Sequence, residues 1–589
     1  MKTISINCLN LKGKQFLYLS VIIVFSFFTS CKNKAELEQH EKTTENKEYA
    51  EFDWFNYKGK DDVFNTIEKS ENEYYNPILA GFYPDPSICR VGNDYYLITS
   101  SFAYFPGLPI FKSSDLVNWK QIGHVITRKE QADFSKMGVS RGMFAPTIRY
   151  NNGTFYVICT NVEQGGNFIV TTKDPAGEWS NPIWLSEIDG IDPDIFFDDD
   201  GKVYITHNGP PPNNETKHDG HRAIYTWEYD LENQKIVSKQ KLLVNGGTDM
   251  AKKPVWIEAP HILKKDNYYY LICAEGGTSY NHSEVVFRSK NVLGPYVSYE
   301  NNPILTQRHL SKERPNQIST TGHVDFVETQ NGEWWGVYLA CRPYEIDYYN
   351  TGRETFMLPV TWKDGWPTFE KGNEAHPFTH QKPNLPESLE VIPSTTGNFE
   401  WNDDFTSDKL DYKWVFLRNP KDSIYKLQDD NLYLKLAEEN IKEIASSSFI
   451  VRRQQHQKFE ASTKVNFSLT NTSQTTGLVA FQNENHYIFI GERLNKDGDV
   501  EIFVERNALK QNEGKPEIVA SKVIKSKTDD LFLKIEGNIR YYDFYFKLSK
   551  DENWIILAKN IDAINLSTEE AKGFVGTMLG MYASNSHFN

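Results

Sequence analysis

Asp85-Pro86-Ser87-Ile88, followed seven residues on by Tyr95-Tyr96-Leu97, joins a short apolar strand through a polar turn to an aromatic strand. The pattern returns as Ala145-Pro146-Thr147-Ile148 with Phe155-Tyr156-Val157, and as Asp192-Pro193-Asp194-Ile195 with Val203-Tyr204-Ile205. It returns again as Ala259-Pro260-His261-Ile262 with Tyr269-Tyr270-Leu271. A weaker fifth copy is His323-Val324-Asp325-Phe326 with Trp334-Trp335-Gly336. From the Pro, or Val324, to the second aromatic position is 10, 10, 11, 10 and 11 residues, so the copies are in register. Gly92-Asn93-Asp94, Asn151-Asn152-Gly153, Asp199-Asp200-Gly201 and Asn331-Gly332 supply hairpin turns between the paired strands. Units of about 50–65 residues carrying several hairpins have the size of a four-stranded propeller blade. Five of them predict a five-bladed β-propeller over 75–385. A β-sandwich with coincidental turns is the competing reading, and five in-register copies count against it.

Further along, near residue 395, the repeat stops. Alternating runs such as Leu432–Leu436, Phe459–Val465, Tyr487–Ile490 and Tyr541–Phe546 read as half-buried antiparallel strands. About 190 residues of them predict a second all-β domain, a sandwich over 395–589.

In the other direction, the chain opens with Lys2, Lys12 and Lys14 ahead of an apolar run, Phe16–Phe28. That run is too short to span a bilayer and suits the apolar region of an export signal. Phe28-Thr29-Ser30-Cys31 is similar to a bacterial lipoprotein cleavage box, with Phe28 a loose match. The expectation is a signal over 1–30, a lipidated Cys31 and a polar tether over 31–74. Ordinary signal cleavage and a membrane anchor are the alternatives. Action in the periplasm or at the cell surface of a bacterium follows, and the membrane is a partner only through Cys31.

Composition narrows the function. Lys+Arg is 64 against Asp+Glu 79, a net charge of −15, the opposite of a nucleic-acid binder. Aromatic residues make up 14 % of the chain, a bias that suits sheets and flat sugar rings. The six cysteines show no metal-type spacing, and Cys89, Cys159, Cys273 and Cys341 lie in apolar strand contexts as buried thiols. Asp198-Asp199-Asp200-Gly201 lacks the ligand spacing of a calcium loop and reads as a hairpin turn. There is no Walker loop, H-E-x-x-H or G-x-S-x-G.

The repeat also predicts a site. The first strand of each blade lines the central channel, so equivalent positions meet round the axis. Those positions hold Asp85, Ala145, Asp192, Ala259 and His323, with Phe144 and Glu258 one residue earlier in their copies. Asp-Pro is a common turn dipeptide, so Asp85 and Asp192 taken singly have structural readings. Glu258, between Ile257 and Ala259-Pro260, has no such excuse. Converging carboxylates raise one another's pKa, which suits an acid and base pair for glycoside cleavage. His323 could equally orient a carboxylate or hold a central water or ion.

These stretches resemble glycoside hydrolase family 43. The resemblance rests on Asn76–Ser87, Ser100-Ser101-Phe102 with Phe105-Pro106-Gly107, Ile191-Asp192-Pro193, Ile257–His261 and Gly352-Arg353-Glu354. The C-terminal region resembles the concanavalin-like sandwich of the β-xylosidase branch, which Gly573-Phe574-Val575-Gly576 suits. The resemblance implies inversion, with Asp85 as general base, Glu258 as general acid and Asp192 tuning the acid. Arg353 would contact sugar hydroxyls, and Phe102 and Phe144 would wall the innermost subsite. Phe144 departs from the Trp often found there. No cofactor is called for, although family members can hold a calcium ion or a water near the position of His323. The leading function is an exo-β-xylosidase acting on xylo-oligosaccharides or xylan. An α-L-arabinofuranosidase acting on arabinoxylan is the alternative, and a glycan-binding lipoprotein a remote third. The sandwich either binds glycan or completes the pocket.

Overall fold

A computed structural model describes residues 48–388, 390–525 and 530–586 of the 589. The export signal and Cys31 lie outside the described residues. Among these residues the structure is nearly all β; its helices are single turns of three to five residues.

Each of the five sequence copies opens a separate antiparallel sheet. The paired first and second strands are Ser87–Val91 with Asp94–Ile98, Thr147–Asn151 with Thr154–Val162, and Ile191–Phe197 with Val203–Gly209. They continue as Glu258–Lys265 with Tyr268–Glu275 and Ser319–Glu328 with Trp334–Cys341. The five first strands adjoin one another in a closed ring, the fifth meeting the first. This is the predicted propeller. Blade one contributes none of its strands to blade five. Instead, Ser87 Oγ donates to Asp325 Oδ2 at 2.7 Å, and Glu73–Tyr75 pairs with Thr379–Gln381. The Asp198–Gly201 run is a hairpin turn, with Gly201 N–H donating to the Asp198 carbonyl. Cys89, Cys159, Cys273 and Cys341 are free and buried, as their apolar contexts predict.

The second domain is a sandwich of two eight-stranded sheets. Its strands alternate as the sequence predicts: Phe459, Ala461, Thr463 and Val465 face the core, and Glu460, Ser462 and Lys464 face outward. The tether expected over 31–74 is corrected from Tyr49 onward. Tyr49–Gly59 is a strand in the middle of one sandwich sheet, beside Lys458–Asn466 on one side and Asn431–Lys435 and Phe399–Asp403 on the other. Ala50, Phe52, Phe55 and Tyr57 are buried in the sandwich core, so burial of these side chains fixes the segment. Its partners lie about 350–410 residues away, which is why its neighbours in sequence gave no sign of it.

The two domains share structure. Tyr104-Phe105 of the propeller pairs with Val415–Leu417 and becomes the edge of the other sandwich sheet. Arg342 of blade five is buried between Asp61 and Glu354, each at 2.6 Å, and donates to the Gln455 carbonyl at 3.0 Å. A buried arginine with both carboxylates and a carbonyl in place holds the domains in one orientation.

Candidate active site

At the mouth of the propeller channel, Asp85, Phe102, Phe144, Asp192, Glu258, His323 and Arg353 line one pocket. The structure therefore brings together every site residue singled out from the sequence. The pocket and its open mouth together span about 360 Å³, at the small end for ligand sites.

A shared backbone distortion builds it. Asp85, Asp192, Ala259 and His323 have φ of 54°, 55°, 49° and 57°. Strand pairing slips between Ile191 and Asp194, between Glu258 and His261, and between Gly322 and Asp325. Bulges of this kind re-aim side chains, and left-handed conformations cost about 1–3 kcal/mol each at non-glycine residues. The repeat thus spends stability at the same place in four blades, where the chain bends into the channel mouth. Ala145 of blade two is not among the left-handed residues, and that blade presents Phe144.

The carboxylates differ in their surroundings. Asp85 Oδ1 accepts from Arg353 Nη1 at 2.6 Å, and its Oδ2 accepts from Ser100 Oγ at 2.6 Å. Burial opposes its ionisation. The Arg353 charge, with the Ser100 hydroxyl, outweighs burial and holds its pKa below the ordinary value. Among the described residues Glu258 receives only Thr278 Oγ1, at 3.3 Å. Burial, then the charges of Asp192 and Asp85, push it up to about 8. Asp192 accepts the Ala259 N–H at 3.2 Å, yet burial and the charge of Asp85 raise it as well. Near neutral pH one carboxyl is ionised and another keeps its proton, the division of labour that acid–base catalysis needs. His323 lies 3.6 Å from Asp85, and burial lowers its pKa to about 3, so the ring is neutral.

Further along the same strands lies a second layer. Arg149 Nη1 meets Asp325 at 2.7 Å and its Nη2 meets Asp194 at 2.8 Å; His261 Nδ1 is 3.1 Å from Nη2. Asp325 also accepts from Ser87 Oγ and the Ile88 N–H. All five blades contribute to this plug. Its guanidinium supplies the positive charge at the axis. Among the described residues, no cluster of three or more His, Cys, Asp or Glu side chains is placed to hold a metal ion.

Sequence reasoning left out Ser100, Thr278 and, above all, Phe574. Phe574 comes from the sandwich. Its ring lies parallel to Phe102 at 5.8 Å, meets Phe144 edge-on at 5.7 Å and lies 5.6 Å from the Arg353 guanidinium. The loop that carries it is brought in by a glycine contact. A Cβ on either Gly352 or Gly576 would strike the other's backbone at 2.9 Å, so glycine at both positions lets the strands beside Arg353 and Phe574 touch. The Gly573–Gly576 run was visible in the sequence, but its partner lies more than 200 residues away.

A propeller whose channel mouth gathers a paired carboxylate, two protonatable ones, an arginine and three aromatic rings is built as a glycoside hydrolase. The chain belongs to the glycosyl hydrolases family 43, whose model matches residues 74–367; the β-xylosidase C-terminal concanavalin A-like domain matches 402–589. It is 39 % identical over 522 residues to a xylosidase/arabinosidase of Butyrivibrio fibrisolvens, covering 87 % of this chain and 96 % of that protein. It is 37 % identical over 529 residues to a non-reducing end α-L-arabinofuranosidase of Bacteroides ovatus, covering 88 % and 92 %. Among solved structures, a GH43_12 retrieved from capybara gut metagenome superposes with a TM-score of 0.85 at 42 % identity, covering 91 % of this chain and 99 % of that one.

Proposed function

We propose that the enzyme is an inverting exo-glycosidase that releases a terminal pentose, β-D-xylose in the first reading, from xylo-oligosaccharides or xylan. The observation that carries it is a wall across one side of the pocket: Phe574 of the sandwich packs on Phe102 and Phe144. A long chain threading through would need that side open.

In this reading Asp85, ionised, takes a proton from a water as the water oxygen bonds to the anomeric carbon. The bond from that carbon to the leaving oxygen breaks with its electron pair on the oxygen, and Glu258 gives that oxygen its proton. Inversion requires the base and acid about 6.5–9.5 Å apart, with the water between. Asp192 keeps Glu258 protonated by its charge. Arg353 fixes Asp85 and offers its remaining N–H groups to sugar hydroxyls. An α-L-arabinofuranosidase acting on arabinoxylan side chains is the second reading, favoured by the activity named for the Bacteroides ovatus relative. Export and lipid anchoring at Cys31 belong to the same proposal, and a Cys31→Ala variant recovered from the soluble fraction would support the anchor.

The test is hydrolysis of nitrophenyl β-D-xylopyranoside and nitrophenyl α-L-arabinofuranoside by wild type and Glu258→Gln. The wild-type rate ratio names the sugar. On xylobiose, whose sugar leaving group needs a proton as nitrophenolate does not, the variant is expected to lose about 10²–10⁴-fold in kcat/KM, the usual weight of a general acid. A variant as active as wild type on xylobiose removes Glu258 from the mechanism. Wild type inactive on both removes the pentosidase reading.

A further inference from the structure

Val255 and Trp256, immediately before the buried Ile257-Glu258, are 40 % and 39 % exposed. Two adjacent large apolar side chains are thus held in solvent just ahead, in the chain, of the pocket residue Glu258. They are not on a loose loop. Trp256 N–H donates to the Gly220 carbonyl at 2.7 Å, and Gly276 N–H donates to the Val255 carbonyl at 2.7 Å. The preceding Pro254 carbonyl faces His218 Nε2 at 2.6 Å. Trp256 also has φ of 51°, a conformation that is an outlier for a bulky residue. Strain of that kind persists only where the surroundings impose it, and it clusters at ligand sites.

The indole is placed for use. The Arg222 guanidinium lies 4.9 Å from its ring centroid. Arg222 spends one bond on Asn208 Oδ1, at 3.2 Å, and its enclosed Nε has no partner among the described residues. On the pocket side, a Cβ at Gly277 would sit 3.8 Å from the indole, and the next residue, Thr278, donates to Glu258. The indole and the carboxyl assigned to protonate the leaving oxygen thus neighbour consecutive residues, Gly277 and Thr278. Phe102, Phe144 and Phe574 already wall the pocket that takes the terminal sugar.

We propose that Trp256, backed by Arg222, is the rest for the second sugar of the substrate, the ring that departs on the oxygen protonated by Glu258. The indole face takes the apolar face of that ring, and the free guanidinium N–H groups take its hydroxyls. The proposal rests on the exo-pentosidase reading. It gives this enzyme a preference for a sugar leaving group that the terminal-sugar pocket alone does not supply.

Binding in the Glu258→Gln background separates the two. The probes are xylose and xylobiose, or arabinose and arabinobiose if the nitrophenyl pair names arabinose. Adding Trp256→Ala is expected to raise the disaccharide Kd about tenfold or more, the usual cost of deleting an aromatic anchor. The monosaccharide Kd should stay within about twofold of the parent. Trp256→Phe should restore most of the disaccharide affinity. Disaccharide affinity unchanged in Trp256→Ala overturns the proposal. So does an equal loss for both sugars, which would mark a structural role. A wild type that cleaves no pentoside overturns the exo-pentosidase reading and this proposal with it. A wild type that cleaves pentosides while Trp256→Ala binds disaccharide normally overturns this proposal alone.

Discussion

The pocket layer and the plug layer occupy neighbouring stretches of the same five strands, and they handle charge in opposite ways. In the plug, Asp194 and Asp325 share Arg149, and Asp325 is held down to about 2, against burial, chiefly by Arg149. In the pocket, three carboxylates share Arg353, and only Asp85 is paired with it. The same fold gives one layer that stabilises and one that carries a surplus. A surplus of buried acid is costly, and it is kept where protons must be held and released.

Stability measurements can break the comparison most decisively. Arg149→Met leaves two buried aspartates without their cation, and the expected loss is about 3–5 kcal/mol, read as a large fall in Tm at pH 7. Glu258→Gln should do the reverse. The folded pKa of Glu258 is raised, so its contribution to stability is complete below about 4.5 and is lost as pH rises through about 8. Removing the ionisable group should therefore raise stability at pH 8 by about 1–3 kcal/mol relative to wild type, with little change at pH 4. A Glu258→Gln protein less stable than wild type at pH 8 would place Glu258 among the structural acids. For Asp325 the sign is opposite: its contribution is present above about 4 and lost as pH falls toward 2.

Asp192→Asn sharpens the contrast within the pocket. Asp192 is the largest charge acting to raise Glu258, so its removal should move the basic limb of the kcat/KM profile down by about one pH unit. An unmoved limb would mean that Asp192 acts by position alone. The smallest expected effect concerns the sandwich. Phe574→Ala should raise KM about tenfold with a smaller change in kcat, because it removes a wall and not a proton. The plug has no residue from the sandwich, and its Tm signature should be untouched by that change.

Much of this was legible without coordinates. The register of the five copies, four with Pro and the fifth with Val324, placed the first two strands of each blade, and strand geometry alone brought Asp85, Asp192, Glu258 and His323 to one axis. Other parts were not legible. Ser87, Arg149, Asp194, His261 and Asp325 stood in the same repeats, but nothing in their spacing distinguished them from the pocket residues, because pairing depends on which charges meet across blades. The strand Tyr49–Gly59 was taken for the end of a tether. Its alternation was present, but its partners were on the far side of the propeller in sequence.

The sequence by itself determined what is local and periodic: the blades, their turns, and the phase at which acids recur. Tertiary structure alone decided which acids are paired, that the pocket is walled on one side by Phe574, and that Trp256 stands exposed beside Glu258. The physical reason is range. Hairpins and hydrophobic alternation are set within about ten residues, where local backbone preferences act. Charge pairing, desolvation and aromatic packing depend on distance in space, and in this chain the decisive neighbours are as far apart as Phe102 and Phe574.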